Sequence, residues 1–180
     1  EITQRLVERA RGGDQQSMYR LYKMYVQAMY STCIRIVANQ FDAEDILQEA
    51  LLKIFFNIGE YSGTGSFKGW MRKVTVNCAI TCYHKNLRHK HHVNIDEYVS
   101  VETGEESFEA DFYTSEELYK VLNDLPAGYR MVFNLYTIEG FKHREIAEML
   151  GIDVNTSKSQ YSRARAILRK KLDDIGKLKG

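Results

Sequence analysis

The segment 141–172, FKHREIAEMLGIDVNTSKSQYSRARAILRKKL, constrains this chain more than any other. Ile146, Ala147 and Leu150 recur at the spacing of one helical face. Gly151 then interrupts the pattern, because glycine reaches the left-handed conformation that a sharp helix stop requires. Asp153 follows as an N-cap for a second helix. That helix carries Lys158, Arg163, Arg165, Arg169, Lys170 and Lys171, and meets no acid before Asp173. A short helix, a glycine turn and a basic helix make a helix-turn-helix pattern. Such a helix fits the major groove of B-DNA, where Arg and Lys meet phosphates and guanine edges. The plainer alternative is a solvated basic helix in an ordinary bundle.

The remainder also reads as helix. There is a single Pro, and few runs alternate with the period of a strand. An apolar fraction of 44% suffices for folded cores, and 180 residues make one or two domains. The net charge of +1 conceals strong segregation. Residues 68–90 hold Lys68, Arg72, Lys73, Lys85, Arg88 and Lys90 without an acid, whereas 91–119 hold acids from Asp96 to Glu117 without Lys or Arg. Basic blocks on either side of an acidic spacer predict two contacts with a polyanion. The expected fold is all-α: helical domains at 1–90 and 114–180, the second with the helix-turn-helix, joined by a flexible acidic linker at 91–113.

Along the chain, Ile2, Leu6, Val7 and Ala10 form a short amphipathic stripe, and 15–38 is a tyrosine-rich helix used for packing. After a connector at 39–41, Asp42 is expected to cap a third helix ending at Gly59, with Ile46, Leu47, Ala50, Leu51, Ile54 and Ile58 buried. Its opposite side shows Asp42, Asp45, Gln48, Glu49 and Phe56, polar and aromatic groups suited to a protein partner. A glycine-rich loop at 61–65 precedes a helix capped by Ser66. That helix has two apolar faces separated by two seams: Lys68, Arg72, Asn86 and Lys90 in one, Lys73, Asn77, His84 and Arg88 in the other. Trp70 lies beside the second seam, either as a core anchor or as a platform for an unpaired base. Thr114 and Glu117 form a capping box, Pro126 suits a first helical position, and the tail from Gly176 is expected to fray.

Three cysteines, an odd number, argue against a disulfide framework and for a reducing, cytoplasmic setting. Cys78 and Cys82 lie on an apolar face without the usual zinc spacing, so no metal is expected. No run is long and apolar enough for direct membrane insertion, and no signal peptide is recognisable. The sequence opens on Glu1 rather than Met, and further N-terminal residues are expected.

Three stretches give the chain a family resemblance: 42–49 (DAEDILQE), 66–77 (SFKGWMRKVTVN), and 125–130 (LPAGYR) leading to EIA at 145–147 and SRAR at 162–165. In their order and spacing they resemble a bacterial RNA polymerase sigma factor of the extracytoplasmic-function (ECF) group. The resemblance implies an N-terminal domain that binds core RNA polymerase and reads the minus-ten element, and a C-terminal domain that reads the minus-thirty-five element. It also implies promoter DNA and an anti-sigma factor as partners. On that basis Asp42, Asp45, Gln48, Glu49 and Phe56 are the candidates for core binding. Tyr61, Trp70, Arg72, Lys73, Asn77, Arg88 and Lys90 are candidates at the minus-ten element. Asn155, Thr156, Lys158, Ser159, Gln160, Arg163 and Arg165 are candidates at the minus-thirty-five element. The sequence departs from the family pattern at Lys142, where a small cap is common, at Ser157, where an apolar residue is common, and at Gln160, where a basic one is.

Two other readings keep the helix-turn-helix: a dimeric DNA-binding regulator, which leaves the first ninety or so residues unexplained, and a polymerase-binding regulator that does not read promoters. An enzyme, a cofactor or a small-molecule substrate is not expected, since no phosphate loop, metal spacing or nucleophile–base set is present.

Overall fold

The computed structural model describes residues 2–89 and 114–179. The linker expected at 91–113, and Lys90, lie outside them. The chain divides into two compact units, Glu1–Arg88 and His89–Gly180. Among the described residues every regular element is helical.

The first unit contains α1 (Ile2–Arg11), α2 (Gln15–Val37), α3 (Gln40–Phe56), a single 3-10 turn (Ile58–Glu60) and α4 (Phe67–His89). Leu6, Val7 and Ala10 of α1 pack on α2, while Ile2 stays exposed. Asp14 closes the first corner, accepting from Ser17 Oγ at 2.6 Å and pairing with Arg9 at 3.0 Å. The second corner differs from the sequence expectation. Asn39, not Asp42, caps α3: its Oδ1 accepts from the amides of Phe41 and Asp42 at 2.9 and 3.2 Å. Gln40 and Phe41 are therefore helical, and α3 stops at Phe56, before Gly59. Asn and Asp cap about equally well, so the earlier of the two starts the helix and leaves Asp42 in its first turn. Ala43, Ile46, Ala50 and Ile54 make the buried side of α3.

Ser66 caps α4, accepting from the Gly69 amide at 3.0 Å. The Tyr25–Phe67 ring contact and a hydrogen bond from Asn86 to Asp42 join α4 to α2 and α3. Thr75, completely buried, returns its hydroxyl to the Met71 carbonyl at 2.9 Å, so no polar group is left unmet there.

The second unit contains α5 (Ser115–Asn123), α6 (Ala127–Phe133) running into five residues of π-helix (Asn134–Ile138), α7 (His143–Leu150) and α8 (Val154–Lys179). Thr114 and Glu117 form the capping box in both directions. Val121, Leu125, Ala164, Leu168 and Leu172 form one buried cluster, edged by Leu118, Tyr129, Phe133 and Ile175. Arg130 is buried, and its guanidinium donates to the carbonyls of Asn123 and Leu125 at 3.0 and 2.9 Å, capping the end of α5. Gly151 turns with φ of +65°, the left-handed stop between α7 and α8. The tail from Gly176 is helical as far as Lys179, the last described residue.

Candidate polymerase and nucleic-acid interfaces

At 100° per residue, Phe41, Asp45, Gln48, Glu49, Leu52 and Phe56 of α3 fall within an arc of roughly 100°, about a quarter of the helix surface. All six are exposed, Phe41 to 80% and Phe56 to 83%. Sequence reasoning missed Phe41 and Leu52. Phe41 was assigned to a connector, and Leu52 was hidden among the leucines of the apolar run; the signal was their register with Asp45 and Phe56. Asp42 departs from the other candidates: it is half-buried and accepts from Asn86 Nδ2 at 3.3 Å. Glu49 pairs with Lys53 at 2.6 Å, an exposed pair of small energetic weight. The arrangement is an acidic and polar stripe flanked by bare apolar rings, which can bury area and still select a partner by charge.

The seams of α4 are unequal. Lys73, Asn77 and Arg88 are exposed along one edge, with His84 half-buried among them. The other seam is broken. Lys68 and Arg72 are exposed at its start, but Val76 and Ala79 follow at 1% and 0% exposure, and Asn86 is engaged with Asp42. The polar pattern therefore mapped two seams where the packing leaves one continuous edge and one short patch.

Tyr61 is the clear correction among the minus-ten candidates. It is buried, its ring set against Phe67 at 5.3 Å and Trp70 at 5.6 Å, and its hydroxyl donates to the Gly65 carbonyl at 2.7 Å. Within a glycine-rich segment the ring would look free, but the aromatic cluster of α4 captures it. Trp70 is half-buried, stacked on Phe67 at 5.6 Å. Residues 62–66 are exposed, and Gly63 and Gly65 take φ of +81° and +78°, which L side chains rarely adopt.

In α8, Asp153 caps the helix, accepting from the Asn155 amide at 2.7 Å. Asn155, Lys158 and Ser159 are exposed near its start; Thr156 and Gln160 are half-buried. Arg163 and Arg165 are half-buried on opposite flanks of the buried Ala164. Arg163 approaches the Tyr129 hydroxyl at 3.5 Å, and Arg165 lies 5.9 Å from the centre of the Tyr161 ring. Ser157 is completely buried and bonded to His143 Nδ1 at 2.9 Å. His143 also stacks on Tyr136 with ring centres 4.3 Å apart, 14° from parallel. The expected departure at Ser157 is thus a buried, hydrogen-bonded polar contact. Burial, then Lys158, holds the His143 pKa below its ordinary 6.5. Lys142 starts α7 without a side-chain cap; instead Glu145 reaches back to its amide at 2.7 Å. Lys142 and Arg144 are both exposed at this end of α7; the sequence marks Lys142 only as an unusual cap and does not single out Arg144. Their place beside the turn of the motif was the available signal.

The thiols are not arranged for chemistry. Cys33 and Cys78 are buried and Cys82 is half-buried. Burial, then the neighbouring Cys78, pushes the Cys33 thiol up to about 12. Burial raises Cys78 and Cys82 as well. Among the described residues no group of His, Cys, Asp and Glu is placed to hold a metal ion, and no helix is long and apolar enough to cross a membrane.

Comparison with known proteins places two family descriptions on the chain: Sigma-70 region 2 matches residues 21–89, and Sigma-70, region 4 matches 115–168. The RNA polymerase sigma factor SigV of Bacillus subtilis is 32% identical over 144 residues, which cover 79% of this chain and 83% of SigV. The ECF RNA polymerase sigma factor SigW of the same organism is 29% identical over 182 residues, covering 94% of this chain and 96% of SigW. The ECF RNA polymerase sigma factor SigE of Mycolicibacterium smegmatis is 29% identical over 163 residues; the match takes in 87% of this chain and 63% of that longer relative. In backbone, the chain is similar to the sigma factor RpoE of Bartonella quintana, solved with the anti-sigma factor NepR. The TM-score is 0.53 at 23% identity, over 86% of this chain and 96% of that one. It is similar to the same degree, TM-score 0.53 at 19% identity, to CnrH, solved with the cytosolic domain of CnrY; 97% of this chain and 99% of that one are covered.

Proposed function

This chain belongs to the ECF RNA polymerase sigma factors, alternative sigma factors that direct promoter recognition by RNA polymerase, and we propose how its surfaces divide that work. The α3 stripe Phe41, Asp45, Gln48, Glu49, Leu52 and Phe56 docks on the core enzyme. The observation that carries this is the stripe itself: two phenylalanines more than three-quarters exposed, in register with carboxylates. Asp42 serves this face indirectly, by tying the start of α3 to α4. Joint replacement of Asp45 and Glu49 by Ala should weaken capture of core polymerase while circular dichroism stays unchanged. Capture at wild-type strength would remove the face from the interface.

The N-terminal unit reads and opens the minus-ten element. Arg72, Lys73, Asn77 and Arg88 track the phosphates of the non-template strand, and the 62–65 loop and the uncovered part of Trp70 meet an unpaired base. The sequence contains no nucleotide-binding loop, so opening draws on binding. Extruding a base costs a few kcal/mol, and stacking on an aromatic ring returns about 1–3 kcal/mol. The C-terminal unit reads the minus-thirty-five duplex through α8, with Asn155, Thr156, Ser159 and Gln160 at base edges and Lys158, Arg163 and Arg165 toward phosphates. Lys142 and Arg144 of α7 add backbone contacts. The similar sigma factor solved with the anti-sigma factor NepR supports an anti-sigma partner for this chain too.

Run-off transcription with core polymerase tests the whole division of labour. Arg72→Ala with Lys73→Ala should abolish permanganate-reactive thymines at the promoter, and a pre-melted template should restore transcription. Normal opening by that variant would refute the assignment.

A further inference from the structure

The segment that leads into the loop before α4 is fastened from a distant helix. Arg11, the last residue of α1, donates from Nε to the Ile58 carbonyl at 3.3 Å and from a terminal nitrogen to the Tyr61 carbonyl. Its guanidinium also lies 5.8 Å from the centre of the Tyr61 ring. Ile58–Glu60 is one 3-10 turn and Tyr61 follows it in extended conformation, so Arg11 ties the start of the turn to the residue just past it. A guanidinium presents its N–H groups in fixed, diverging directions from separate nitrogens, whereas an ammonium offers rotatable donors from a single point on a shorter reach.

Tyr61 passes the restraint forward. Its hydroxyl donates to the Gly65 carbonyl at 2.7 Å, and its ring stands edge-on to Phe67 at 5.3 Å. The 62–65 loop is thus spanned by contacts between its flanks. Within it, Ser62 Oγ and Thr64 Oγ1 meet at 2.6 Å. The backbone is tied at both flanks while the side chains of 62–66 remain exposed.

We propose that Arg11 and Tyr61 form a two-stage clamp that holds the 62–65 loop ready for an unpaired minus-ten base, making Arg11 a positioning residue for promoter opening. The proposal rests on reading the loop and α4 as the minus-ten surface. Residue 11 lies outside the 21–89 segment that matches region 2, so that match gives α1 no part in this. A loop that is already ordered loses little conformational freedom when it closes on a base, whereas a loose one loses it at that moment. Tyr61, excluded as a direct contact by its burial, acts here through the loop it closes.

The test uses full-length chain in holoenzyme and two variants. Arg11→Met keeps the stem and removes both donors; Tyr61→Phe keeps the ring and removes only the hydroxyl. The probe is a single-stranded oligonucleotide from the non-template minus-ten region of a promoter that the holoenzyme transcribes. Each variant should speed amide exchange across 62–65 and weaken oligonucleotide binding by about 3- to 10-fold, the size of one or two lost hydrogen bonds. The double variant should fall well short of the product of the two losses, since both break one clamp. Core affinity should not change. Arg11→Lys should resemble Arg11→Met more than wild type. Unchanged amide exchange in both single variants would overturn the clamp. Faster exchange with unchanged oligonucleotide binding would overturn its positioning role if Arg72→Ala with Lys73→Ala still weakens binding. If that pair also leaves binding untouched, the minus-ten reading fails and takes the positioning role with it.

Discussion

The helices α4 and α8 are both long and rich in Lys and Arg, yet the fold treats them in opposite ways. Around the middle of α4, Thr75, Val76, Cys78, Ala79 and Ile80 are all buried, and Asn77 alone among its neighbours reaches solvent. Among the described side chains of α8 the buried ones are Ser157, Ala164, Leu168 and Leu172, a single stripe. A helix that lies in a major groove needs a wide bare arc, because the groove wraps around it. A helix beside an opened strand needs only one charged edge and a neighbouring loop to take a base. The same composition therefore yields two kinds of surface, and the difference lies in how many sides the rest of the unit covers.

The largest expected effect breaks the comparison at its packing. Met71→Ala in α4 and Leu168→Ala in α8 should each cost about 2–5 kcal/mol, but in different units. Amide exchange read unit by unit should show Met71→Ala loosening only the first and Leu168→Ala only the second. A common loosening would mean that the two units fold as one. At the next level, Asn155→Ala should relax discrimination at one minus-thirty-five base pair by about 1–3 kcal/mol. Lys158→Ala should instead weaken binding to every duplex and lower the salt slope by about one. Promoter variants titrated at several salt concentrations separate the two, and a uniform loss for Asn155→Ala would move it to the backbone.

Two smaller effects sharpen what holds α8 in place. Ser157→Val removes the partner of His143 Nδ1 and should destabilise the second unit by about 1 kcal/mol in denaturant titrations. Adding His143→Leu should recover much of that loss, because both polar groups are then gone; an additive double variant would mean that the two residues act independently. The smallest effect is one of pH. Burial and Lys158 favour the neutral ring of His143 in the folded unit, so the unfolded chain binds that proton more readily. The stability carried by the neutral ring is complete above the ordinary value of 6.5 and declines as pH falls below it. His143→Gln should flatten that decline in thermal melts between pH 7.5 and 5, readings taken roughly one unit above and more than one below a typical imidazole.

Most helix boundaries were legible because they are written locally. Thr114 with Glu117, Ser66, Gly151 and Asp153 each mark an end within a few residues, and each does so in the structure. At the start of α3 the local signal misleads: Asp42 reads as the cap, and Asn39, three residues earlier, is the one that caps. Periodicity found Ile46, Ala50 and Ile54 on the buried side of α3, put Leu47 and Leu51 there although they are half-buried, and missed the exposed Phe41 and Leu52, since an apolar residue on an exposed face looks like one belonging to the core. Contacts between distant residues left no trace at all. Nothing near Arg11 points to Tyr61, fifty residues on, and nothing near Ser157 points to His143. The π-helix at Asn134–Ile138 was likewise unreadable, because an α-helix and one turn of π-helix use the same residue types.

The state of the three cysteines has a practical side for anyone who wishes to watch this protein at work. Thiol-reactive dyes and spin labels attack the thiolate, and burial keeps Cys33, Cys78 and Cys82 in the protonated form. A cysteine newly placed at an exposed position away from the proposed interfaces, such as Gln27 on α2 or Glu116 on α5, would outpace the native thiols in a maleimide reaction. Distances between reporters on the two units could then be followed through core binding and promoter opening without first stripping the protein of its own sulfur.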